Sequence, residues 1–138
     1  MNVYLDASVV LRKLQRETAG LSSWGKWSRA YSSELLRVEV CRAVDRNRVR
    51  GTLTDANVAD LMQKAHAVFD AVELVPLSAT ILSRAAESFP TSLGTLDALH
   101  LATALRLAEL NNVKMTFLTH DTELALAARS LNFVVEGV

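Results

Sequence analysis

Cysteine is nearly absent from this 138-residue sequence, and its single occurrence, Cys41, cannot close an internal disulfide. With only three scattered histidines it offers none of the paired spacings of a zinc site, and a reducing cytoplasm is the expected setting. Long apolar runs are missing too: nowhere do about 18 apolar residues follow one another. The opening Met1-Asn2-Val3-Tyr4-Leu5-Asp6 lacks the basic stretch and apolar core of a secretory leader, so neither secretion nor membrane insertion is expected. Charge of one sign is also lacking, because 15 lysines and arginines balance 15 aspartates and glutamates. No overall field draws the chain to nucleic acid, and any such affinity has to be local. Glycine is sparse, at positions 20, 25, 51, 94 and 137, and no pair makes Gly-x-Gly or the phosphate loop Gly-x-x-x-x-Gly-Lys. Nucleotide-cofactor chemistry therefore has no support.

What is present is enough for a folded core: 50% of residues are hydrophobic and 22% charged, far from the signature of disorder. The length suits a single domain, residues 1 to 138. Val3-Tyr4-Leu5 reads as a short buried strand that delivers Asp6 at its C-terminal end. A short helix over 9 to 16 and an interrupted helical stretch over 19 to 27 follow. Leu36, Val40, Ala43 and Val44 recur at helical spacing and predict a helix from 33 to about 48. Thr54 can cap another, running to about 72, in which Val58, Leu61, Met62, Ala65 and Phe69 repeat every three or four residues. Residues 72 to 76 predict a strand stopped by Pro76, and Ser78 starts a helix that ends near 88 to 90. Leu96 to about Leu110 is apolar around most of its circumference, which predicts a centrally buried helix with Asp97 in its first turn. A strand over 115 to 119, a helix over 123 to 130 and a last apolar run over 133 to 135 complete the chain. This alternation predicts an α/β sandwich with a mainly parallel sheet and helices on both faces.

Four acids stand where solubility alone explains them poorly, because Asp6, Glu39, Asp97 and Asp121 each abut apolar sequence. Leu35, Leu36 and Ala43 place the Glu39 carboxylate beside an apolar stripe, and a buried charge needs a partner. Asp6 and Asp121 both follow strands, and in a parallel sheet both emerge at the C-terminal edge where α/β sites gather. Were the four to converge, each pair about 4 Å apart would repel by roughly 4 kcal/mol at an effective dielectric near 20. Protons or cations must then compensate, and hard oxygen ligands select Mg²⁺ or Mn²⁺.

Each acid also has a plainer explanation. Asp97 suits the macrodipole at a helix start, Asp6 a turn, Asp121 a helix cap, and Glu39 an ion pair with Arg42. An aspartyl-phosphate enzyme is a further alternative, but two residues after Asp6 stands Ser8 rather than a second aspartate, and no lysine stands in an obviously matching place.

Taken in order, four segments resemble a known family. Tyr4-Leu5-Asp6-Ala7-Ser8-Val9-Val10 resembles the first motif of the PIN domain, and in particular of the VapC-type toxins of toxin–antitoxin modules. Residues 33 to 43 resemble the second, in which a helix brings in a glutamate, here Glu39 rather than Glu34. Leu96-Asp97-Ala98-Leu99-His100-Leu101-Ala102-Thr103-Ala104 is similar to the most recognisable string of the family, and residues 117 to 128, with Thr119-His120-Asp121, to the fourth motif.

The resemblance spans residues 3 to 135 and implies a PIN fold, Mg²⁺- or Mn²⁺-dependent endoribonuclease activity on RNA, a homodimer and a cognate antitoxin. It implies that Asp6, Glu39, Asp97 and Asp121 are the catalytic, metal-holding residues, with Ser8 and Thr119 in support. Alternatively, a PIN domain can serve as an interaction module for RNA or protein, which replacement of the acids would signal; all four are present. His100, on a buried helix, suits packing or support of the site better than general-base catalysis. Arg42, Arg46 and Arg50 at successive i, i+4 positions suit either phosphate tracking or a solvated helix face. Trp24 and Trp27 suit core packing, with an anchor for an antitoxin peptide or an RNA base as the alternative.

Overall fold

Tyr4 points to one side of its strand while Val3 and Leu5 point to the other, and this alternation divides the protein into two cores. The computed structural model describes residues 1 to 15, 21 to 112 and 114 to 138. Its strands are β1 (Asn2–Leu5), β2 (Arg29–Ser33), β3 (Glu73–Val75), β4 (Met115–Leu118) and β5 (Val134–Glu136). They form a parallel sheet in the order β3-β2-β1-β4-β5. Strands buried on both faces need apolar residues at consecutive positions, and β1 and β4 supply them with Val3-Tyr4-Leu5 and Met115-Thr116-Phe117-Leu118.

The helices are α1 (Ala7–Gln15), α2 (Leu35–Val49), α3 (Asp55–Ala71), α4 (Ala79–Ala85), α5 (Thr95–Asn111) and α6 (Thr122–Ser130). On one face Val3 and Leu5 pack with Val9 and Val10 of α1, Leu36 and Val40 of α2 and Phe69 of α3. On the other, Tyr4 and Phe117 pack with Leu101 and Leu107 of α5 and Leu124 of α6. The expected α/β sandwich with helices on both faces is therefore the observed one. No helix among the described residues is long and apolar enough to cross a membrane.

Thr54 caps α3 as expected: its hydroxyl accepts from Asn57 N at 3.1 Å while Asn57 Oδ1 accepts from Thr54 N at 3.1 Å. Ser78 caps α4 by accepting from Ile81 N at 3.3 Å. Two expectations need correction. Residues 21 to 27 are not helical; they form a turn in which Trp24 N donates to the Leu21 carbonyl at 3.0 Å and Gly25 takes φ +77°. The rest of that stretch, 16 to 20, lies outside the described residues. β2 was not expected at all, and it pushes the start of α2 from 33 to Leu35. It escapes the apolar-run signal because Ser32 and Ser33 are buried polar residues. The Ser32 hydroxyl donates to the Leu5 carbonyl at 2.7 Å, and Ser33 Oγ accepts from Leu35 N at 3.1 Å.

Candidate active site

Parallel pairing of Leu5 with Leu118 brings the residues that follow each strand side by side, and Asp6 N donates to the Leu118 carbonyl at 3.0 Å. The buried Asp6 carboxylate is held by both neighbouring segments. Its Oδ2 accepts from Ser8 Oγ at 2.5 Å, from Thr119 Oγ1 at 2.9 Å and from Ser8 N at 3.3 Å. The hydroxyls are aimed by backbone groups behind them, since His120 N donates to Ser8 Oγ at 2.9 Å and Asp121 N to Thr119 Oγ1 at 3.0 Å. Because an ionised carboxylate only accepts, both hydroxyl hydrogens are turned toward Asp6. Ser8 and Thr119 thus both bond the Asp6 carboxylate.

Asp121 is the cap of α6, with Oδ1 accepting from Leu124 N at 3.0 Å. Capping does not remove it from the site, because its charge is among the causes that shift Asp97. Asp97 lies half-buried in the first turn of α5. Burial, then the charges of Asp121 and Asp6 and finally Glu39 push its carboxyl up to about 6, with His100 working in the opposite sense. A position at a helix start would by itself lower that value, so burial and the neighbouring acids outweigh it here.

α2 delivers Glu39 to the same place. Its Oε1 lies 2.5 Å from Nε2 of His100, which is fully buried one turn beyond Asp97 on α5. The same Nε2 is 4.0 Å from Asp6 Oδ1. Burial disfavours the His100 cation, but the Glu39 hydrogen bond and the charges of Asp6, Glu39 and Asp97 outweigh it and raise the imidazole above its ordinary value. The alternative pairing of Glu39 with Arg42 does not occur: Arg42 and Arg48 both bind Asp45, at 3.0 and 2.9 Å. Glu34, the other acid of that segment, is exposed and accepts from Leu77 N at 2.9 Å, away from the cluster.

The four acids thus come together electrostatically at the C-terminal edge of the sheet. Among the described residues no three carboxylate, histidine or cysteine side chains already encircle a position for one metal ion. The donor chemistry nevertheless suits Mg²⁺ or Mn²⁺, since the groups gathered here are hard carboxylate oxygens, and burial together with the charges of Asp121, Asp6 and Glu39 raises the Asp97 carboxyl.

One contributor escaped the sequence reading. Tyr4, otherwise a strand residue, meets His100 Nδ1 through its hydroxyl at 2.9 Å. The available signal was its position: a tyrosine inside a strand buried on both faces needs a partner for its hydroxyl. Arg42 and Arg46 on α2 and Arg50 at its C-terminal cap are exposed. Trp24 and Trp27 are partly buried, meet edge to face at 5.3 Å and pack against the first core.

Compared with known proteins, the chain matches the PIN domain family over residues 3–130. It is 30% identical over 139 residues to "Ribonuclease VapC47" of Mycobacterium tuberculosis (strain CDC 1551 / Oshkosh), covering 96% of this chain and 93% of that protein. The crystal structure of VapBC2 from Rickettsia felis bound to a DNA fragment from their promoter contains a chain similar in fold. Its TM-score is 0.67 at 15% identity, with 99% of this chain and 98% of that chain covered.

Proposed function

This chain belongs to the PIN-domain family, and from that membership we propose that it is a divalent-metal-dependent endoribonuclease, the toxin of a toxin–antitoxin pair. The observation that supports the reading is geometric: Asp6 and Asp121 follow adjacent parallel strands, and His100 Nε2 lies 2.5 Å from Glu39 Oε1 and 4.0 Å from Asp6 Oδ1. The charges of Asp121, Asp6 and Glu39 add to burial in raising the Asp97 carboxyl. The named ribonuclease relative, alike over nearly its whole length, supports the reaction class.

Asp6, Glu39, Asp97 and Asp121 would hold Mg²⁺ or Mn²⁺, which when bound supplies an activated water and neutralises charge on the scissile phosphate. Ser8 and Thr119 keep Asp6 Oδ2 engaged, which restrains its carboxylate, and Oδ1 is the oxygen left toward His100. The carboxylates by themselves repel an RNA phosphate, so substrate entry depends on cation at the site and on basic groups beside it. Arg42 and Arg46, exposed on the helix that carries Glu39, and Arg50, exposed just after it, are the candidates for gripping the backbone. A cognate antitoxin and a second copy of the chain are the expected partners. The solved relative named VapBC2 supports the first.

The test is cleavage of a mixed RNA pool by inhibitor-free protein with Mg²⁺, with Mn²⁺ and with EDTA, alongside Asp97→Asn. Cutting that needs metal and vanishes in the variant is expected. RNA binding without cleavage under either metal would turn the assignment to an interaction module.

A further inference from the structure

Glu39 has the longest side chain of the four acids and is held from a different helix. Asp6 is fixed by two hydroxyls and Asp121 by the α6 N-terminus, whereas Glu39 extends three torsions from α2 with a fifth of its side chain exposed. The hydrogen bond that restrains it comes from His100 Nε2, and the far nitrogen of that ring meets the Tyr4 hydroxyl. We propose that Tyr4 and His100 are positioning residues which lock the Glu39 carboxylate beside Asp6, with His100 neither a metal ligand nor a proton carrier. This rests on the nuclease reading of the site.

The polarity of the chain follows from its ends. A carboxylate only accepts, so His100 Nε2 carries a hydrogen and donates it to Glu39 Oε1. The tyrosine hydroxyl both donates and accepts, so it complements Nδ1 whether or not that nitrogen is protonated, and the Nε2–H is kept on the Glu39 side. Tyr4 is itself immobile: it is the largest of the fully buried side chains, and its ring stacks on Phe117 at 5.2 Å. The hydroxyls of Ser32 and Thr103, which lie beside the phenol, donate to the carbonyls of Leu5 and Leu99, both at 2.7 Å. The Tyr4 hydroxyl is thus placed by β1, β2 and α5 together, and the ring it touches is buried completely. Because Nε2 lies 2.5 Å from Glu39 Oε1 and 4.0 Å from Asp6 Oδ1, one buried nitrogen sets the separation of two acids on different elements. An outer partner that orients a ligand in this way is typically worth about 10- to 100-fold in metal affinity.

The experiment is Mn²⁺ titration of the purified protein, followed by electron paramagnetic resonance, for wild type, His100→Leu, His100→Gln and Tyr4→Phe. Nitrogen NMR of the metal-free imidazole reports where its hydrogen sits. His100→Leu is expected to weaken Mn²⁺ binding by about 10- to 100-fold. His100→Gln, whose side-chain amide donates from the Nε2 position, recovers most of it. Tyr4→Phe, which keeps the core filled, weakens binding several-fold and shifts the Nδ1 signal. If wild type binds Mn²⁺ and cuts RNA but His100→Leu or Tyr4→Phe binds as tightly, or glutamine fails to recover binding, the positioning inference falls and the nuclease reading stands. If wild type binds no Mn²⁺, both fall. A role confined to folding would lower the unfolding midpoint of each variant and leave the affinity of the folded fraction unchanged.

Discussion

Asp97→Asn should make the metal-free protein more stable. A carboxyl raised from 3.8 to about 6 is one whose ionised form the folded state disfavours, and each pKa unit corresponds to about 1.36 kcal/mol. The full shift is about 3 kcal/mol, and because Asp97 is only half-buried, solvent screening reduces this to about 1–2 kcal/mol. The sign follows from proton binding: between about pH 4 and 6 the folded state holds a proton that the unfolded state has released. This group's contribution therefore becomes unfavourable as pH rises through that window, and it is fully so above 6. Asparagine removes the charge and nearly preserves the shape. In EDTA at pH 7.5, urea denaturation should find the variant more stable by about 1–2 kcal/mol, and below pH 4 the two proteins should converge. Excess Mg²⁺ should reverse the order by stabilising wild type preferentially. A variant as stable as wild type or less so at pH 7.5 in EDTA would show that burial and the neighbouring acids together do not penalise the ionised Asp97 carboxyl, which would overturn the expectation.

Thr119→Val keeps the volume but removes one of the two hydroxyls on Asp6 Oδ2; it should cost about 1–2 kcal/mol in denaturation and about 10- to 100-fold in Mn²⁺ affinity. Gly137→Ala should destabilise the protein by about 1–3 kcal/mol, measured as an unfolding midpoint, because the residue takes φ +114° and an added Cβ would overlap the Thr119 carbonyl that backs the site. Arg46→Ala should weaken RNA binding at low salt and reduce the slope of log affinity against log salt by about 0.7 per lost phosphate contact; an unchanged slope in filter binding would return that arginine to the solvated face.

The strand and helix pattern was legible wherever one residue class dominated a segment. Val3-Tyr4-Leu5 and the 115 to 118 run announce strands because both faces of the sheet are covered, and Thr54 and Ser78 announce helix starts through their own hydrogen bonds. β2 was illegible for the converse reason. It is central, but its last two residues are serines whose burial is tolerable only because partners exist in β1 and at the start of α2, and a local window cannot see those partners. Its absence from the reading also misplaced the start of the helix that carries Glu39.

The same limit governs the site. Spacing rules compare a residue with neighbours three or four positions away, so for Glu39 they offered Arg42 as a partner. The actual partner is 61 positions distant, and Arg42 turns to Asp45 instead. Asp97 was ambiguous in sequence because a helix start accounts for an aspartate equally well. The structure adds that burial first, and then the charges of Asp121, Asp6 and Glu39, raise its carboxyl, whereas a macrodipole alone would lower it. His100 completes the argument: on a helix apolar around most of its circumference, a fully buried imidazole is tolerable only if both nitrogens are satisfied. The groups that satisfy them come from β1 on one side and α2 on the other. The residue that reads in sequence as packing or support of the site is therefore the one that ties the first strand to the second acid.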